Sequence, residues 1–180
     1  MEVPFGGQSP KRDGIAVPWD HGLPVEIPGT GFRISGFIDR LDLSECRTQA
    51  RVRDYKTGQP REPDDVLAGG RELQRCLYGY AARVLVGSAV LVDASLHYPR
   101  EGLCLPLARP DAALGELARH LAAAGASLGA GNAYPGPDAE DAYNELAFAL
   151  PANAGEIYCP RKRDAVRAAL GEAAGIWEAA

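Results

Sequence analysis

The chain has 180 residues, 46% of them hydrophobic, and a net charge of −5. That is enough for one sizeable core, and it excludes a disordered or a membrane-spanning class. The acidic balance argues against nonspecific coating of nucleic acid, yet it leaves room for a locally basic groove beside an acidic metal site.

The N-terminal "MEVPFGGQSP" has no basic-then-apolar signal pattern, so a cytoplasmic location and no membrane association are expected. Strand-like residues at the very start suggest a segment of a longer polypeptide. Residues 1–180 are read as one domain.

"GIAVPW", "LPVEIP" and "GFRISGFIDRLDL" read as short strands separated by turns. In the last of these, strict alternation puts Phe32, Ile34, Gly36, Ile38 and Arg40 on one face. Arg33, Ser35, Phe37, Asp39 and Leu41 then fall on the other. "SECRTQ" has the length of a hairpin connection, and "ARVRDYKTG" is the partner strand.

A helix is expected within "EPDDVLAGGRELQRCLYGYAARVLVG", with Pro63 and Asp64 as start residues and Gly87 as the stop. Leu73, Leu77, Tyr80, Ala81 and Val84 form its expected buried stripe. "AVLVDASLHYPR" and "GLCLPLA" follow as strands around a turn at Glu101 and Gly102. A second helix then begins at an Asp111 cap. "NAYPGPDAE" is a loop, and "PRKRDAVRAALGEAAGIWEA" is a closing helix. This order predicts an α/β fold, with α+β as the alternative: a mixed central sheet flanked by helices after an N-terminal run of short strands.

The chemistry concentrates on two strands. Asp54 and Lys56 share one face, with Tyr55 on the other. A surface ion pair on an edge strand is the plain explanation. A hairpin, however, brings Asp39 beside them. Two crowded carboxylates repel unless a cation intervenes, and Mg²⁺ (with Mn²⁺ as substitute) suits one or two carboxylates plus water. The backbone carbonyl of Tyr55 is a further candidate ligand. Lys56 would orient or deprotonate a water, or hold charge developing on a phosphate.

On the helix, Arg71, Gln74, Arg75 and Tyr78 recur at i, i+3, i+4 and i+7. They form either a solvated face or a substrate-binding one with guanidiniums for phosphates. The cysteines Cys46, Cys76, Cys104 and Cys159 lie far apart, without a CxxC. Buried thiols are the expectation, rather than a zinc or redox site.

In order, "GFIDRLDL", "VRDYKTG" and "LQRCLYGYA" resemble the successive motifs of RecB-type nuclease domains in the PD-(D/E)XK superfamily, most clearly from Arg33 to Ala82. The resemblance implies a restriction-endonuclease-like fold and a Mg²⁺-dependent DNA nuclease, with exonuclease action in DNA repair or recombination. It implies Asp39 and Asp54 as metal carboxylates, Lys56 as the catalytic lysine, and Gln74 and Tyr78 as a helix motif near substrate. Glu2 in "EVPFG" matches a glutamate often found in the strand before these motifs. DNA is the implied partner, with a helicase domain or subunit beside it. Relatives carry an upstream helix with a histidine, which would precede this segment. Some relatives bind an iron–sulfur cluster through several C-terminal cysteines. Here "EIYCPRKRDAV" supplies only Cys159, so no cluster is expected. The alternative is a silent module that keeps the fold for DNA binding or helicase docking.

Overall fold

A computed structural model describes residues 2–11, 16–60, 66–67, 70, 72–87, 89–132, 150–171 and 174–179. The expected helix start at Pro63 and Asp64, and the loop after Asn132, lie outside the described residues.

The chain forms two compact units, residues 1–67 with 72–118 and residues 68–71 with 119–180. In the first, β1 (Val3–Phe5) pairs antiparallel with β4 (Gly36–Ile38), and β2 (Val25–Glu26) with β3 (Arg33–Ile34). The central sheet has the order β5 (Arg40–Leu43), β6 (Gln49–Tyr55), β7 (Leu91–Tyr98), β8 (Leu103–Pro106). It is mixed, because β6 and β7 run parallel while the outer pairs are antiparallel. A parallel neighbour needs a crossover, and α1 (Gln74–Val86) lies within it and packs on β6 and β7. The fold is thus mixed α/β of the restriction-endonuclease-like kind, a central sheet with helices.

The core gathers Val3, Phe5, Val25, Ile38, Val52 and Ala94 from the strands with Ala81 and Ala82 from α1. Trp19 fills its margin, and its indole N–H donates to the Pro4 carbonyl at 2.8 Å. Gly6 has φ +66°, and a Cβ there would stand 2.2 Å from the Ile34 carbonyl. Only glycine fits where these two segments of the chain cross.

Three expectations need correction. "GFRISGFIDRLDL" is three short strands, and its alternation breaks at Asp39. Ile38 and Leu41, three residues apart, both pack into the core. A bend at Asp39 between β4 and β5 switches the parity.

The buried face of α1 is not the expected Leu stripe. Of the expected stripe Ala81 is buried and Tyr80 packs against the core, but Val84 is 45% exposed, and Arg75, Cys76, Gly79 and Ala82 make up the rest of the buried face. Gly79 sets this face, since a Cβ there would lie 2.9 Å from the Ala94 methyl on β7. Small residues, not large apolar ones, define a helix–sheet contact this close. Finally, Cys46 and Cys104 are exposed and only Cys76 is buried, so the thiols do not form one buried class.

Gly87 ends α1 with φ 99°, as expected of a glycine stop. α2 (Pro110–Gly129) starts one residue before Asp111, whose carboxylate takes the Arg83 guanidinium at 2.5 Å. In the second unit a π-helical turn (Ala154–Tyr158) leads into α3 (Cys159–Leu170), and α4 (Ala174–Ala179) follows a break at Gly171. Arg163 and Arg167 both reach Glu178, joining α3 to α4. No described helix is long and apolar enough to cross a membrane.

Candidate metal and phosphodiester site

The hairpin register pairs Arg40 with Arg53 and Leu41 with Val52. One step further along, Asp39 stands opposite Asp54. On the other side β1 pairs Val3 with Ile38, so Glu2 falls opposite Asp39. Glu2 is drawn off to Lys11, at 2.5 Å, and that ammonium also lies over the Phe37 ring.

The bend at Asp39 turns its carboxylate toward β6, where Oδ2 accepts the backbone N–H of Tyr55 at 2.9 Å. Asp54 is buried, 4% exposed. Lys56 Nζ lies 2.6 Å from Asp54 Oδ2. That oxygen is nevertheless without a directed hydrogen bond, so the contact is an ion pair. Burial pushes the Asp54 carboxyl above its ordinary range. Lys56 opposes this, and the nearby Asp39 charge adds to it.

Lys56 Nζ also donates to Gln74 Oε1 at the start of α1, and Gln74 Nε2 donates to Tyr78 Oη at 3.2 Å. The Tyr78 ring packs edge-on against Phe5, with centroids 5.8 Å apart. A polar chain thus runs Asp54, Lys56, Gln74, Tyr78 and ends on the core. Tyr55 points the other way, its ring 5.8 Å from that of His97 on β7.

The structure brings Asp39, Asp54, Lys56, Gln74 and Tyr78 together. Arg71 lies outside the described residues. Arg75 does not join the group, which corrects its expected role in holding substrate. Its side chain is 1% exposed, and its guanidinium is engaged by Glu72 and by the carbonyls of Leu105 and Pro106. A guanidinium so enclosed has no donor to offer a phosphate. Sequence reasoning missed Glu72, although its i, i+3 spacing to Arg75 at a helix start is a recognised pairing signal.

The donor set suits a hard cation. A buried carboxylate oxygen without a hydrogen bond, a second carboxylate alongside and a backbone carbonyl between Asp54 and Lys56 are oxygen ligands of the kind Mg²⁺ takes. Among the described residues no group of three or more His, Cys, Asp or Glu side chains is placed to hold a metal ion. The rest of a cation's shell would therefore come from carbonyl, water and phosphate.

A family model described as the PD-(D/E)XK nuclease superfamily matches residues 2–154. That span includes every residue of the site. No curated protein and no solved structure gives a significant match to the chain.

Proposed function

The chain belongs to the PD-(D/E)XK nuclease superfamily, and from that premise we propose that it is a Mg²⁺-dependent deoxyribonuclease. The observation that carries the reading is the buried Asp54 carboxylate facing Asp39 across the hairpin, with the Lys56 ammonium 2.6 Å away.

Asp39, Asp54 and the Tyr55 carbonyl would hold the cation. When bound, Mg²⁺ supplies positive charge to a phosphate oxygen and acidity to a coordinated water. Lys56, fixed between Asp54 and Gln74, positions the attacking water and offsets charge developing on the phosphoryl oxygens. The water oxygen bonds to phosphorus as its proton leaves to solvent; the bond from phosphorus to the leaving oxygen breaks, and that oxygen takes a proton from solvent water to leave as the alcohol. Gln74 and Tyr78 keep the Lys56 head group in place. Exonuclease action, a role in repair or recombination, a helicase partner and a cytoplasmic location are the finer parts of the proposal. They rest on the motif resemblance.

A rival reading, a DNA-binding module without cleavage, draws on the lack of a third acidic or imidazole ligand among the described residues. The deciding test incubates labelled single- and double-stranded DNA with the protein in Mg²⁺, Mn²⁺ or EDTA. Metal-dependent release of fragments, lost in Asp54→Asn, supports the nuclease. DNA binding without cleavage in either metal supports the module.

A further inference from the structure

The first turn of α1 is held in an unusual way. Leu73, at its N-cap, has no side-chain acceptor for the free N–H groups of a helix start. Glu72 supplies one instead, with Oε1 accepting the Arg75 N–H at 3.0 Å. Its Oε2 takes Arg75 Nε and Nη2, each at 3.1 Å. Arg75 Nη1 continues to the Leu105 and Pro106 carbonyls at 3.3 and 3.0 Å. The two side chains are 1% and 2% exposed. One guanidinium therefore ties the start of α1 to the end of β8.

A buried ion pair is weak evidence of stabilisation, since apolar residues of similar volume often do as well or better. What the planar fork of Arg75 adds is direction. A helix advances about 1.5 Å and turns about 100° per residue, so a slip of one position would carry Gln74 away from Lys56. Gln74 is the neighbour of Arg75 in this same turn, and it bonds Lys56 and Tyr78.

We propose that the buried Glu72–Arg75 pair is a positioning device, which seats the first turn of α1 so that Gln74 holds Lys56 in the site. Its consequence for turnover rests on the nuclease reading. The seating itself does not.

The test replaces the pair by apolar residues, Glu72→Leu with Arg75→Met, in the full chain. The lysines are Lys11, Lys56 and Lys162, so lysine-selective isotope labelling gives a short spectrum. Lys56→Met identifies the Lys56 signal. In metal-free wild-type protein the contact between Lys56 Nζ and Gln74 Oε1 is expected to give a cross-peak between the Lys56 ε-protons and the Gln74 γ-protons. The double variant is expected to fold and to lose that cross-peak. Its kcat on DNA is expected to fall about tenfold or more, with KM held within about twofold. A folded double variant that keeps the cross-peak and wild-type kcat overturns the proposal.

Glu72→Gln provides a second variant, because its amide oxygen still accepts the Arg75 N–H. Weakening of the same cross-peak supports the proposal, and an unchanged one overturns it. If neither variant folds, the pair is a stability element and the proposal fails. A wild-type chain that cleaves nothing removes the nuclease reading, while the cross-peak still decides the seating.

Discussion

Asp39 Oδ2 accepts the backbone N–H of Tyr55 at 2.9 Å, so a side chain from the β4–β5 bend closes the ladder between Asp54 and Lys56. The bend that breaks the strand is thus what delivers the first carboxylate to the second. A regular strand through Asp39 would keep Ile38 and Leu41 on opposite faces. Here they share the core.

Burial of the Asp54 carboxyl, with a second carboxylate nearby, predicts a pH-dependent stability. Burial, with Asp39 nearby, raises the Asp54 pKa in the folded chain. A raised carboxyl pKa means that the native state holds the proton more tightly than the unfolded one. Its contribution is complete below the unfolded carboxylate pKa and is lost as pH rises through the raised value. The metal-free protein should therefore lose stability across that window. Asp54→Asn should flatten the loss and match or exceed wild type at neutral pH. Asp39→Asn and Asp54→Asn should both weaken Mn²⁺ binding and abolish cleavage. Denaturant melts against pH, with calorimetric titration of Mn²⁺, check this. Unchanged Mn²⁺ affinity in both variants sinks the two-carboxylate site.

Lys56 and a bound cation compete for the same Asp54 oxygen. Lys56→Met should therefore bind Mn²⁺ at least as tightly as wild type. Cleavage should nonetheless fall by about two orders of magnitude, the scale of a lost charge-stabilising donor. The fold should survive, because Lys56 is half-buried and outside the core. A variant that binds Mn²⁺ and still cleaves at the wild-type rate assigns Lys56 a structural role only.

Much of the site was legible in the sequence. The hairpin "SECRTQ" and the DxK spacing place Asp39, Asp54 and Lys56 together because register and pleat follow from strand periodicity. Gln74 and Tyr78 meet because they are four residues apart on a helix. Arg75 was misread by the same periodicity. Nothing in its spacing says whether a polar residue faces water or is buried with a partner, and only the β8 carbonyls decide it. The break at Asp39 was equally hidden, since no Pro or Gly marks it.

The α1 face was misjudged because size outweighed close approach, and Gly79 gives that error a measurable form. Gly79→Ala gains about 1 kcal/mol in helix propensity. The added methyl would stand 2.9 Å from the Ala94 Cβ, which is rigid on β7. Overpacking of this kind costs about 1–3 kcal/mol, so the net change should be destabilising. Ala94→Gly in the same chain removes the clash, and the double variant should recover most of the loss that the overpacking causes. Additive losses in urea unfolding of the single and double variants would refute the contact.

The Gln74–Tyr78 link predicts a split between variants of the two residues. Tyr78→Phe keeps the ring against Phe5 and removes only the acceptor of the Gln74 amide. It should melt close to wild type and lose about threefold to tenfold in kcat, as a loosened positioning contact does. Gln74→Ala takes away the direct partner of Lys56 and should lose more, with Mn²⁺ affinity nearly unchanged in both. Equal kcat in wild type and both variants would remove α1 from the mechanism and leave the carboxylates standing.

The cysteines should react in a set order. Cys46 sits in the exposed hairpin turn, where its Sγ is 3.0 Å from Thr48 Oγ1 and 3.5 Å from Ser44 Oγ. Hydrogen bonds from Ser44 and Thr48 favour the thiolate and bring its pKa down to about 7. Cys76 is buried on the inner face of α1, and burial pushes its pKa up to about 11. The thiolate is the nucleophile, so alkylation of native protein at neutral pH should take Cys46 first and leave Cys76 unmodified until unfolding. The Cys46 rate should rise with pH to a midpoint near 7. Ser44→Ala should shift that midpoint upward, because one stabilising donor is lost. Mass spectrometry of iodoacetamide-treated protein across a pH series reads both effects. Labelling of Cys76 before Cys46 in folded protein would overturn the assignment of the two environments.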